Sequence, residues 1–250
     1  MTTRKIALTI PIKLQNRQEI AAALKSRYGG DYLLMGRIFQ STITTRSCEI
    51  DIYNAANNFV SAWKIAGQNN ISLTLDQLNF EQQLILLTSI DTGYEACRQI
   101  AQLAQVFLQI GGIAIKVEST GIVHEPQKWL DNYNSSDVFD IYTLFVTLIE
   151  GDCFYYSCGM FNFGKADVKV EISEDLSLAV YVMNVFNYYR LTESPILQDG
   201  HTFQPDIECP AYTMRWIEDQ ESELDSPLHN PYGRWLLSRS VESSDKTSHI

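Results

Sequence analysis

The chain has 250 residues, 45% of them hydrophobic and 20% charged, a composition that excludes wholesale disorder, a collagen-like repeat and a disulfide scaffold. Its 19 basic and 30 acidic side chains leave a net charge of −11, the wrong sign for a protein that grips nucleic-acid phosphates. No run approaches the ~18 uninterrupted apolar residues of a membrane span.

The charge is uneven. Residues 1–46 carry eight basic and two acidic side chains, so the remainder holds 11 basic against 28 acidic, an excess of 17 negative charges. Five scattered cysteines, Cys48, Cys97, Cys153, Cys158 and Cys209, have no framework spacing and read as reduced thiols in the cytoplasm. Arg4 and Lys5 precede the apolar run from Ile6 to Ile12, but Pro11 interrupts it and Lys13 and Arg17 follow, so the segment reads as a strand and not as a signal peptide.

In chain order, residues 5–13 predict a strand, Asn16 and Glu19 form a capping box, and a helix over 16–28 runs to Gly29-Gly30 before the strand YLLMGRIF. The grammar then repeats. Residues 84–90 read as a buried strand, Thr92 and Glu95 as a second capping box, and 92–110 as a helix ending before Gly111-Gly112 and the strand IAIKVE. This repetition points to a pseudo-duplicated β-α-β unit. Residues 138–149 and 153–158 read as two strands of a hairpin turning at Glu150-Gly151-Asp152. Residues 167–172 predict another strand, Ser173 a cap, and 174–190 a third long helix. Tyr212 to Ile217 predicts a strand, followed by an exposed acidic loop; seven acids and one base lie between Pro205 and Pro227. The pattern predicts an α+β fold: a mainly antiparallel sheet with the three long helices packed on one face. Residues 1–237 read as one domain, with 55–80 the place where it would divide, and 238–250 as a flexible tail.

The catalytic motifs fail one by one. Gly159 to Ala166 matches a phosphate-binding loop except at Ala166, where a hydroxyl is needed to reach magnesium, and the chain continues into a strand instead of a helix. Cys153 and Cys158 fall on opposite faces of a predicted strand, and no second ligand pair is near, so no metal is expected. His124-Glu125 resembles the start of a zinc-protease helix, but Lys128 stands where the second histidine belongs. His124 still follows a strand exit, where functional groups gather. Together with Glu125 and Lys165 it is a catalytic candidate. His201, after the Asp199-Gly200 turn, reads as a surface residue. Neighbouring tyrosines at 155-156 and 188-189 cannot all point inward, so some rings are expected at the surface.

Three segments, STGIVHEPQKWL (119–130), CGMFNFGKADVKVEIS (158–173) and LQDGHTF (197–203), resemble the bacterial domain of unknown function numbered 4261, over about residues 55–205. The resemblance implies an α+β intracellular protein without a settled chemistry or cofactor. It marks Gly121, His124, Gly159, Gly164, Lys165 and Asp199 as binding candidates. His201 departs from the pattern, since an acidic residue is expected in that turn. The reading favoured by charge and failed motifs is a non-catalytic module, immunity-like or regulatory, that binds a basic protein through an acidic, tyrosine-bearing surface, with no nucleic acid or membrane as partner. The alternative is a small-molecule enzyme with its site at His124 and the 159–165 loop.

Overall fold

The computed structural model describes residues 5–56, 83–220 and 228–240, together with positions 60, 63, 78, 222, 223 and 226. The fold is α+β, built on two mostly antiparallel sheets where one was expected. Most of the expected boundary near 55–80 and residues 241–250 of the expected tail lie outside the described residues.

The first sheet takes up β1 (Ala7–Ile12), β2 (Tyr32–Met35), β3 (Ile38–Ser41), β4 (Ser47–Asn54), β5 (Gln83–Thr88), β6 (Ile115–Val117) and β7 (Val123–His124). Their order is β2-β3-β4-β5-β1-β6-β7, and every pairing is antiparallel. Helix α1 (Arg17–Tyr28) connects β1 to β2, and α2 (Tyr94–Leu108) connects β5 to β6. Counting the alternating directions, β2 runs the same way as β1, and β6 the same way as β5. Both connections are therefore β-α-β crossovers, but the first passes three intervening strands and the second only one. The two units share a grammar and not a placement.

Local sequence explains both helices. The Asn16 side chain accepts from the Glu19 amide at 2.9 Å, as expected of the cap, while the Glu19 carboxylate accepts from the Gln15 amide at 2.9 Å, one residue before the Asn16 amide that a closed capping box would use. The second box is not formed: Gly93 holds the N-cap of α2 without a side-chain bond. Helix α2 is buried along most of its length because it lies on the inner face of the sheet, where alternate residues Leu8, Ile10 and Ile12 of β1 meet Ile85 and Leu87 of β5 and Phe107 of the helix. YLLMGRIF is two strands instead of one, reversing at Gly36-Arg37 so that Met35 pairs with Ile38.

The remaining elements are α3 (Pro126–Asn132), α4 (Val138–Phe145), β8 (Thr147–Glu150), β9 (Phe154–Cys158), a 3-10 turn (Met160–Phe163), β10 (Asp167–Glu171), α5 (Leu176–Thr192), β11 (Thr202–Phe203), β12 (Tyr212–Ile217) and β13 (Arg234–Arg239). The second sheet has the order β11-β12-β13-β10-β9-β8, with β10 and β13 its one parallel pair. Helix α5 covers this sheet and not the first, through Ala179, Val182, Met183 and Phe186 against Val168, Val170 and Leu237.

Three local expectations are corrected. Residues 138–145 are helical where a strand was expected: Asp137 caps the segment by accepting from the Phe139 amide at 2.8 Å, and Ile141, Tyr142, Leu144 and Phe145 are all buried, which makes its apolar pattern continuous. The hairpin survives in shortened form as β8 and β9, with the Gly151 amide bonded to the Phe154 carbonyl. Asp175, and not Ser173, caps α5, accepting from the Ser177 and Leu178 amides. Finally, the expected tail begins inside β13: Ser238 pairs with Thr213, and Arg239 makes a two-pronged ion pair with Glu174 at 2.7 and 3.0 Å.

Candidate functional site

His124 ends β7, opposite Ile115 on β6, and Gly121 sits in the turn that joins these strands. Pro126 then starts α3, which carries Trp129 under the imidazole with the ring centroids 5.6 Å apart. His124 Nε2 lies 2.8 Å from the Leu144 carbonyl. A carbonyl can only accept, so Nε2 carries the proton and Nδ1 is left as an acceptor. Burial pushes the imidazole pKa down to about 4; the Leu144 bond opposes this only in part, and the nearby Lys128 charge adds to it. The ring is thus neutral, with its one proton already donated. Among the described residues it meets no carboxylate, so the base-and-orienter pair that general acid-base catalysis needs is not assembled there. The side chain does line a cleft of about 360 Å³, shared with Glu125, Lys128, Thr143 and Thr147.

The 159–165 connection lies at the same end of α4. Gly159 has φ +118°, and a Cβ there would overlap the Phe145 carbonyl oxygen, so glycine is required for close approach. Gly164 caps the 3-10 turn in the left-handed region. Between them Asn162, fully buried, donates to the carbonyls of Phe145 at 3.3 Å and Gly159 at 2.9 Å, and bonds with Ser119 Oγ. Its own carbonyl takes the Gly93 amide at 2.7 Å. The resemblance to a phosphate loop resolves into a junction that ties the second sheet to α2 and α4. Lys165 is half-buried, and burial with the Arg190 charge holds its ammonium below the usual range.

The Asp199 to His201 turn stands apart. It belongs to the β11 edge of the second sheet, where Asp199 accepts from the Trp216 amide at 2.7 Å, the His201 carbonyl takes the Met214 amide, and His201 is exposed. Of the three loops singled out in the sequence, the first two converge on the end of α4 and the third is held by β12.

Two features went unread in the sequence. The second sheet buries a polar network on the face opposite α5. Asp167 accepts from Ser157 Oγ and the Met160 amide, each at 3.1 Å, and from Asn230 Nδ2 at 2.6 Å. Burial outweighs these bonds and raises its carboxyl to about 6. Asp219, expected on an exposed acidic loop, is buried: its carboxylate pairs with Arg234 at 2.9 Å and takes the Asn230 amide at 3.0 Å. Burial opposes its ionisation, but the Asn230 amide and the Arg234 charge prevail and hold it below the usual carboxylate range.

The second feature is an open groove of about 530 Å³ between α4 and the outer face of α5. Phe139, Val180, Val185 and Tyr188 form its apolar surface, with Tyr181 and Asp137 also lining it. Ser177, Tyr181, Asn184 and Tyr188 follow helical spacing, with Val180 and Val185 beside them, so the outer face of α5 is a mixed stripe in which aromatic and aliphatic groups alternate with polar ones. The Tyr181 hydroxyl donates to Asp206 at 2.9 Å, and no lysine or arginine lines the groove among the described residues. The helical period was readable, but only the position of α4 turns that stripe into a groove.

Comparison of the chain with protein-family models, curated proteins and solved structures finds no match. Among the described residues, no helix is long and apolar enough to cross a membrane.

Proposed function

We propose that this protein is a non-catalytic binding module that holds a basic segment of another protein in the groove between α4 and α5. The observation that carries this reading is the combination of exposed aromatic surface with acidic neighbours. Phe139, Tyr181 and Tyr188 are 37–43% exposed, while Asp137 and Asp206 stand at the groove's edge. Tyrosine is favoured at protein interfaces because it offers a large, rigid apolar area with a polar tip. A net charge of −11 would speed encounter with a cationic partner and reject an acidic one. The other potential centre, His124, meets no carboxylate among the described residues and has its one proton committed to the Leu144 carbonyl, so it gives the catalytic reading no support.

The test is affinity capture from the native cell extract at low and high salt, with the wild-type protein and the variant Tyr181→Ala/Tyr188→Ala, after circular dichroism has shown that the variant is folded. A stoichiometric basic partner should be retained at low salt, weakened once ions screen beyond about 10 Å, and lost from the variant. Retention of the same partner by the variant, or no partner at low salt, overturns the proposal.

A further inference from the structure

The cleft beside His124 has no part in the proposed groove, and its chemistry is unusual for an incidental depression. Glu125 and Lys128 both line it, yet neither has an ion-pair partner among the described residues, although they stand three positions apart at the start of α3. Opposite charges so close in sequence commonly neutralise one another; here both remain available to a third body.

The other polar groups divide by hydrogen-bonding capacity. Thr143 Oγ1 donates its proton to the Asp140 carbonyl at 2.9 Å, so toward the cleft it can only accept. His124 spends its N–H on Leu144 and keeps Nδ1 as an acceptor. With the Glu125 carboxylate these make three acceptors, the number that one ammonium group, with its three N–H donors, would satisfy. Lys128 supplies the complement, a cation suited to a carboxylate; the Thr147 hydroxyl already donates to the Leu148 carbonyl at 3.5 Å. Val146 adds apolar wall. The volume of about 360 Å³ falls at the small end of the roughly 300–1,000 Å³ range of small-molecule sites.

We propose that the cleft formed by β7, the start of α3 and the end of α4 binds a free amino acid, its ammonium held by Glu125, Thr143 and His124 and its carboxylate by Lys128. The apolar wall favours an aliphatic side chain. The site performs no chemistry, and its occupation is a second binding function beside that of the groove.

The test uses the full chain, ¹⁵N-labelled, titrated with the standard free amino acids, leucine first, and with two leucine analogues: 4-methylpentanoate, which lacks the ammonium, and 3-methylbutylamine, which lacks the carboxylate. Leucine or another aliphatic amino acid should give saturable shifts confined to residues 122–128 and 143–147. Each analogue should bind at least about tenfold more weakly, the equivalent of one lost charged hydrogen bond. Lys128→Ala should weaken the amino acid and the carboxylate analogue but not the amine, and Glu125→Gln should do the reverse. Lys128 is exposed and Glu125 half-buried, so both variants keep the fold. Absence of saturable shifts with every amino acid overturns the proposal. So do analogues that bind as tightly as the amino acid, which would reveal a merely apolar pocket, and so does unchanged affinity in both variants. None of these outcomes bears on the groove, which is tested by capture of a protein.

Discussion

The two sheets bury themselves by different means. The first presents to α1 and α2 a face of aliphatic side chains, with Ile6, Leu8, Ile10, Ile12, Ile85 and Leu87 all at most 1% exposed, and its charged pairs, Lys5 with Glu49 and Lys116 with Glu118, lie outside that core. The second is covered on both faces. Along β10, Val168 and Val170 pack toward α5, while Asp167 and Lys169, on the opposite face, are also buried. Lys169 Nζ lies 4.2 Å from the Phe154 ring centroid, and the Arg234 guanidinium lies 5.1 Å from that of Tyr156. The difference shows that an alternating strand need not have a wet face: Asn230 bonds to Asp167 and Asp219 to Arg234 on the polar side, and they supply the partners that water would otherwise provide.

The comparison can be broken most severely in the first sheet. Phe107→Ala, which empties a fully buried position against Phe39, should cost about 4 kcal/mol in chemical denaturation, with no dependence on salt. In the second sheet, Asp219→Ala removes a buried carboxylate that pairs with the Arg234 guanidinium at 2.9 Å, and a loss of about 3 kcal/mol is expected. If the second loss is absent, the polar face is hydrated in solution and the contrast between the sheets disappears.

Acid titration sharpens the contrast by sign. His124 has a folded pKa of about 4 against an ordinary 6.5. The unfolded chain therefore binds the proton first, and stability falls as pH drops from about 6.5 to 4, by up to about 3 kcal/mol from this group. Asp167 does the opposite. Its carboxyl is raised from 3.8 to about 6, so the folded chain takes up the proton first and this group adds stability as pH falls through about 6 toward 4. Stability measured against pH for His124→Gln and Asp167→Asn, each subtracted from wild type, should give curves of opposite slope in the same window. Parallel slopes would contradict the two environments.

The smallest effect is expected on the surface of the first sheet. Lys116→Ala removes a partly exposed partner of Glu118 and should change stability by no more than about 1 kcal/mol, less at high salt.

Much of the local structure was legible. Alternation and apolar runs located β1, β5, β9, β10 and β12 within a few residues, and the Asn16 cap placed the start of α1 because the cap and the Glu19 amide it accepts from are contained in four residues. The site was legible only in part. His124, Gly159 and Gly164 were marked, and the first does line a cleft, but their surroundings were not readable: the proton of His124 is committed by Leu144, twenty residues away, and the glycine spacing serves the approach of Phe145. Residues 138–145 misled because valine, phenylalanine, isoleucine and tyrosine suit a strand, and a segment buried on most sides loses the periodicity that would reveal a helix.

The sequence by itself thus determined the α+β class, the three long helices and most of the strands, since spacing, caps and turns act over a few residues. Only the tertiary structure decided that the strands divide between two sheets and that α5 leaves the first for the second. It also decided that Asp167 and Asp219 are interior while Tyr181 and Tyr188 are exposed. Those outcomes depend on which distant segment supplies a hydrogen-bond partner or covers an apolar face, and the energies of burial and pairing are set by that neighbour and not by the residue's own place in the chain.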